Sequence, residues 1–198
     1  MVTERSNFMK EVKNYEWSSL LDLTGKGLNQ FNAVDQNLNC SQLMNNANLN
    51  WNVDLKPVYF GKENRFIKDD KFYSLVKDDQ EVLVSGLTDS YHPMQNDQIA
   101  RIGDHVARNT GIKFEHAFSY DRDKYVTFLA KTNGQFNIGD DVVKSYIMFN
   151  NFHTGRDKSS ILTTNISVWC SNTFMNALKD NSQFKIGISL KISYRRVL

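Results

Sequence analysis

The stretch ISVWCSNTFMNAL, residues 166–178, places a thiol where a β-type run meets a run with helical spacing. A cysteine at such a junction has two readings. A helix N-terminus lowers a thiol pKa, and the thiolate is the nucleophilic form. Yet Ile166, Val168 and Trp169 before Cys170, and Phe174 and Met175 after it, are apolar, and free cysteine is among the most buried residue types. Burial in apolar surroundings raises the pKa and leaves the thiol inert. Cys170 therefore reads as a corner residue of the core, with Asn172 and Thr173 satisfying the first amides of the following helix. The histidines offer little more. His92, His105, His116 and His153 form no HxH or HExxH pair. His116 and His153 could meet across neighbouring strands with Asp121 or Asp157 close by, but a histidine near a hairpin turn is more often simply solvated or hydrogen-bonded. Neither TGKG (24–27) nor HTGRDKSS (153–160) completes a phosphate-binding loop, and no GxGxxG follows a strand. The expectation is a protein that is not an enzyme and uses no metal or cofactor.

Cations and aromatics are better interleaved. Arg65, Lys68 and Lys71 surround Phe66, Phe72 and Tyr73. Arg122 and Lys124 stand between Tyr120 and Tyr125, Arg156 and Lys158 share a later turn, and a helical stretch offers Arg101 and Arg108. Single-stranded nucleic acid is held by cationic grooves with aromatic platforms on which bases stack. The nine cations are the expected phosphate contacts, and Tyr73, Tyr120 and Tyr125 the expected stacking rings. The competing reading is ordinary wet hairpin tips, where Asp69, Asp70, Asp121, Asp123 and Asp157 accompany the cations. Lys191, Arg195 and Arg196 form a separate basic tail.

Composition sets the frame. The chain has 198 residues, 40% of them hydrophobic, with 13 Phe, 8 Tyr and 3 Trp. That suffices for a core without staples. Cys40 and Cys170 are the only cysteines, too few for a disulfide framework. The net charge of +2 falls short of a dedicated duplex binder, so any nucleic-acid contact needs local clustering. The first residues carry no apolar segment of signal-peptide length, and no run approaches the ~20 apolar residues of a membrane span. A cytoplasmic location in a bacterial host is expected, with no membrane partner.

The elements that would carry these residues follow from periodicity. Residues 1–50 are polar and asparagine-rich and read as a lead-in segment, with one short helix around CSQLMNNAN capped by Asn39 or Ser41 and turning Leu43, Met44 and Ala47 inward. Residues 51–198 read as the core domain. WNVDLKPVYF alternates, RFIKDDKFYSLVKDD reads as two short strands joined by a KDDK turn, and EVLVSGLTDSYHPM as a strand ending near Pro93. QNDQIARIGDHVARNTG is a helix with Asn96 as N-cap and Gly111 just past its end. KFEHAFSY and KYVTFLAK form a hairpin around residues 121–123, NGQFNIGDD is a loop, and KSYIMFNNF pairs with SSILTTNISVWC across HTGRDK. A helix over SNTFMNALKD and an alternating tail, QFKIGISLKISYRRVL, complete the chain. The fold class is α+β: antiparallel β-hairpins forming a sheet braced by helices.

Four local signatures resemble a family of phage- and plasmid-encoded proteins classed as a domain of unknown function, number 932. LNWNV (49–53), YHPMQN (91–96) and IMFNNFHTGRDKSSILTTNISVWCSNTFMNAL (147–178) carry the match, and WSSLLDLTGKGL is loosely similar to the family's start. The chain departs from the pattern at Thr154, where the family has Asp, and near Ser167, where it has Arg. The order of the pieces further resembles the single-strand annealing proteins of phage recombination, the Red-beta and RecT group and their eukaryotic Rad-type relatives. That resemblance implies an oligomeric ring or filament that holds single-stranded DNA in a basic groove and pairs complementary strands without ATP. It implies a phage exonuclease or a host single-strand-binding protein as partner. The alternative is a phage module that oligomerises or binds a host protein without touching DNA.

If Cys170 is a core corner, Cys170→Ala lowers stability by about 1–2 kcal/mol and leaves oligonucleotide binding unchanged. Thermal melts and fluorescence anisotropy on the same preparation check this. Lost binding in a protein that still folds would overturn the corner assignment.

Overall fold

A computed structural model describes residues 30–32, 37–63, 65–138, 141–164 and 185–188. Its elements run in chain order as β1 (Gln30–Asn32), α1 (Cys40–Asn46), β2 (Val53–Lys62), β3 (Arg65–Lys77), β4 (Glu81–Leu87), α2 (Asn96–Thr110), β5 (Lys113–Tyr120), β6 (Tyr125–Ile138), β7 (Asp141–Phe152), β8 (Ser159–Thr164) and β9 (Lys185–Ile188). Among the described residues they form a six-stranded sheet, ordered β1-β5-β6-β7-β8-β9, and a three-stranded sheet, β2-β3-β4. All pairings are antiparallel. The α+β expectation holds at this level. The Cys170 corner, the helix after it and the basic tail lie outside the described residues.

One core joins the two sheets through the helices. Phe114, Val126, Phe128 and Phe149 project from one face of the large sheet. Against them pack Leu43 and Met44 of α1, Ile99 and Ala100 of α2, and Val53, Leu75 and Leu83 of the small sheet. Residues 37–50 thus contribute α1 and the fully buried Leu49 to this core. A second cluster, Phe118, Leu129, Tyr146, Met148 and Leu162, lies on the opposite face of the large sheet. Alternation along β5, β6 and β7 serves both faces, since successive strand residues point to opposite sides.

The helices are fixed by local chemistry and by each other. Asn39 caps α1, accepting from the Gln42 amide at 2.8 Å while Gln42 Oε1 accepts from the Asn39 amide at 3.0 Å, a reciprocal capping box. Asp104 of α2 adds a second cap from outside. Its carboxylate accepts from the Cys40 amide at 2.6 Å and from the Ser41 hydroxyl at 2.5 Å. Burial first, and the Asp104 charge second, push the Cys40 thiol pKa well up, so this cysteine is an inert core residue. Helix α2 begins one residue earlier than its sequence suggests. Gln95 is the N-cap, which frees Asn96 to turn inward. Gly111 closes the helix in the left-handed region at φ 73°.

Two stretches differ from the sequence reading. KDDK is not a hairpin turn. Asp69 Oδ1 accepts from the amides of Lys71 at 2.8 Å and Phe72 at 3.1 Å, and the loop it folds is a bulge inside the continuous strand β3. The register against β2 shifts there, from Pro57↔Tyr73 to Tyr59↔Lys68. The hairpin turns lie instead beyond Lys62 and at Asp78–Gln80. Asp78 and Asp79 both have positive φ, 47° and 60°, the hand that matches strand twist. Most of NGQFNIGDD is not a loop either. After a register shift between Lys131 and Gln135, pairing runs from Gln135↔Lys144 to Ile138↔Asp141.

Gly103 marks the tightest approach of α2 to the core. A Cβ there would lie 2.8 Å from Phe114 Cζ and 3.1 Å from Cys40 Sγ. Gly103→Ala should therefore destabilise the protein by about 1–2 kcal/mol, overpacking outweighing the gain in helix propensity. Urea denaturation checks the sign; a stabilised variant would show that the core has room there.

Candidate nucleic-acid interface

Strand pairing sorts the candidate residues into three groups. Arg65, Lys68, Lys71 and Tyr73 lie on β3. Tyr120, Arg122, Lys124 and Tyr125 flank and form the β5–β6 turn, and Arg156 and Lys158 belong to the β7–β8 turn. Arg101 and Arg108 ride on α2. The first two groups meet at one end of the large sheet. Lys77, at the end of β3, forms an ion pair with Asp123 of the β5–β6 turn at 2.5 Å. Tyr73 pairs with Leu87, and Leu87 lies so close to the β7–β8 turn that a Cβ on Gly155 would collide with Leu87 Cδ2. Gly155 is required there twice over, by that contact and by its φ of 73°. Arg65 and Lys68 stand farther along β3, away from this junction.

The β5–β6 turn is held in a conformation that its residues do not favour. Asp121, Arg122 and Asp123 all have positive φ, 50°, 54° and 62°. For residues other than glycine the left-handed region costs about 1 kcal/mol or more each. Surrounding bonds over-determine it. Asp123 accepts from the Ser119 hydroxyl as well as from Lys77, and the His153 amide donates to the Lys124 carbonyl at 2.7 Å.

Charge at this end is not cancelled in the way the sequence suggests. Asp123 is taken by Lys77, and Asp121 by Lys124 at 3.5 Å. Asp157 accepts from the Thr154 hydroxyl at 2.8 Å, and Thr154 Oγ1 in turn accepts from the amides of Arg156 and Asp157. Arg122, Arg156 and Lys158 are exposed and enter no ion pair among the described residues. On α2, Arg101 is bound to Asp97 one turn back. Arg108, in the last turn, is placed to complement the helix dipole.

The tyrosines are less available than the cations. Tyr120 and Tyr125 stack on each other, centroids 4.6 Å apart and planes within 10°. The Tyr125 edge meets Phe152 at 5.3 Å. Burial, then neighbouring charges, raises both hydroxyl pKa values. Tyr73 is half-buried. The exposed rings are others: Tyr59, Phe60, Phe66 and Phe72.

Behind the turns lies a buried polar centre that spacing did not disclose. Asn151 of β7 donates both amide hydrogens, to the Met94 carbonyl and to Asn96 Oδ1, each at 2.9 Å. Its own Oδ1 accepts from the Ser159 hydroxyl at 2.7 Å. Asn96 Nδ2 donates to the Leu49 carbonyl at 3.0 Å. His153 Nε2 lies 3.0 Å from Asn96 Oδ1. With the Asn151 hydrogens already used, that contact requires Nε2 to carry the imidazole proton. His153 Nδ1 is then a buried acceptor that, like the buried Trp51 Nε1, finds no hydrogen-bond partner among the described residues. The two rings are 5.0 Å apart, and Lys77 Nζ stands 4.9 Å over the Trp51 ring. The signal in the sequence was Asn150-Asn151 between two phenylalanines, at the end of the apolar run Tyr146–Phe149. His116 is not part of this centre. β5 and β7 flank β6, and His116 lies on the other face, near Tyr146. Among the described residues no three His, Cys, Asp or Glu side chains are placed to hold a metal ion, and no helix is long and apolar enough to cross a membrane.

Fold and site together define a helix-braced antiparallel β protein with a cationic strand-turn end over a neutral polar centre. Residues 84–188 match the family model described as domain of unknown function (DUF932). This is more than half of the chain, and the protein belongs to that family. The matched span takes in α2, both turns, Asn96, Asn151 and His153; most of β2–β4 precedes it. No curated protein and no solved structure matches the chain.

Burial depresses the His153 pKa to about 4, against a weaker upward pull from the Asp123 charge. The folded state thus binds its proton later than the unfolded state, whose value is about 6.5. This contribution to stability is complete above pH 6.5 and is lost as pH falls toward 4, by about 3 kcal/mol in all. His153→Gln, which keeps a donor but does not titrate, should flatten that part of the slope. Urea denaturation at pH 7, 5.5 and 4.5 checks it; an unchanged slope would mean that His153 is not buried neutral.

Proposed function

We propose that this protein binds single-stranded DNA and anneals it without ATP, acting in phage or plasmid recombination. The carrying observation is the charge arrangement at the turn end. Arg122, Arg156 and Lys158 are exposed and enter no ion pair among the described residues, while Asp121, Asp123 and Asp157 next to them are each engaged by a local partner. Lys71 and the half-exposed Tyr73 extend this patch along β3. Exposed cations on turns held in place suit phosphates, whose binding releases counterions and weakens with salt. Backbone-directed contacts leave the base edges free, which strand pairing requires.

The order of the sequence elements resembles that of the Red-beta and RecT annealing proteins, and on that resemblance the proposed activity is strand pairing and the proposed working form a ring or filament. In that setting a phage exonuclease or a host single-strand-binding protein would be the partner. A small net charge per chain is enough when many weak sites are aligned, because linked sites multiply affinity. A second reading, a module that binds protein and no DNA, is favoured by the exposed apolar residues of β2 and β3.

Binding of a fluorescent single-stranded oligonucleotide, titrated at several salt concentrations, tests the proposal. The triple variant Arg122→Ala, Arg156→Ala, Lys158→Ala should reduce the log–log salt slope by about 2, from ~0.7 per phosphate contact. No binding by the wild-type protein at low salt would leave the protein-binding module as the function.

A further inference from the structure

We propose that the distal half of the β2–β3 hairpin is the contact between copies of this chain. β4 pairs with β3 only between Tyr73 and Lys77. Beyond the bulge, Arg65–Lys68 pairs with Tyr59–Lys62 alone, so the hairpin continues as a two-stranded arm. Such a ribbon is marginal in water unless a third layer covers it. Each of its faces carries exposed apolar side chains beside a cation, Lys68 on one and Arg65 on the other. Tyr59, Lys68, Gly61 and Phe66 share one face, and Phe60 and Ile67 the other, as the register dictates. Phe66 is 84% exposed, and Tyr59, Phe60 and Phe72 about half exposed, at 55%, 49% and 46%. Gly61 opposite Phe66 has open space where a side chain would be.

The chemistry of the arm selects its occupant. Lys62, Arg65, Lys68 and Lys71 alternate with Glu63, Asp69 and Asp70. A surface that carries both signs in near balance attracts a polyanion only weakly. It complements itself: under two-fold symmetry each residue i meets j while j meets i, so the three acids of one arm can face cations of the other. The aromatic rings supply the apolar centre that such an interface needs. Contact is through the faces rather than the outer edge, since the bulge at Asp69–Phe72 and the lysines oppose edge-to-edge pairing. The assignment stands on the arm alone and does not require nucleic-acid binding.

Sedimentation velocity without nucleic acid, over about a hundredfold range of protein concentration, is the test. The wild-type protein should show mass rising with concentration. Phe66→Ser with Phe60→Ser should weaken self-association at least tenfold, with the melting temperature kept because both residues lie outside the core. Val82→Ser, which removes an apolar side chain of similar exposure (58%) on β4, should change neither. A wild-type protein that stays monomeric throughout overturns the proposal, as does an arm variant that assembles normally. Oligonucleotide binding is read on the same samples. An assembly unchanged by the arm variant, together with lost binding, would make the arm a base-stacking platform. Lost assembly with monomer binding retained keeps the two functions apart.

Discussion

Asn151 is the point on which the rest of the structure depends. Its side chain spends every hydrogen-bonding group, on Met94, Asn96 and Ser159. Those partners come from the segment leading into α2, the first turn of α2 and the start of β8. Asn96 extends the knot to Leu49, between α1 and β2. A polar group at this depth would cost several kcal/mol unpaired, so the register of β7 against β8 and the seat of α2 are fixed together. A slip by one residue would strand every member. Apolar contacts around Phe128 and Phe149 supply most of the stabilisation, but they tolerate small displacements. The hydrogen-bonded centre does not.

The same centre explains how the turns are held. His153 comes two residues after Asn151 and so returns to the same face. Its ring completes the knot through Asn96, and its amide fixes the β5–β6 turn through the Lys124 carbonyl. Lys77 closes the other side, bonded to Asp123 and standing over Trp51. Three consecutive left-handed residues persist in that turn because ties on both flanks outweigh their backbone cost. The exposed cations are thereby presented on a rigid base, and the entropy of ordering them is met in folding rather than in binding.

Much of this fold was legible. Tyr120 and Tyr125 around DRD announced a hairpin, and Gly111 announced the end of a helix, because in both cases local chemistry and tertiary structure agree. KDDK and NGQFNIGDD misled for one reason. Both contain turn-forming residues, and in KDDK the turn chemistry is real, with Asp69 bonding amides two and three residues on. Whether the chain then reverses depends on strand pairing. A long partner strand carries β3 through a bulge and β6 through its Asn-Gly pair, and pairing partners are not local information. The same limit applied to the site. The sequence named cations and tyrosines by proximity in the chain. Which of them gather was settled by Lys77, Leu87 and Gly155, residues without any motif.

Asn96 shows why the buried centre was the least legible part. Asparagine before a helical run is a strong N-cap signal, and on local grounds the assignment was sound. Here Gln95 takes the cap, and its side chain also bonds both polar groups of the Val53 backbone. The helix starts one residue early, and Asn96 rotates into the core. A single-residue shift in a helix start thus turns a surface cap into the link between Leu49, Asn151 and His153. Asn96 then ties the large sheet to the connection between α1 and β2. The small sheet from which the arm extends is tied to α2 at its opposite end by the same Val53–Gln95 bonds.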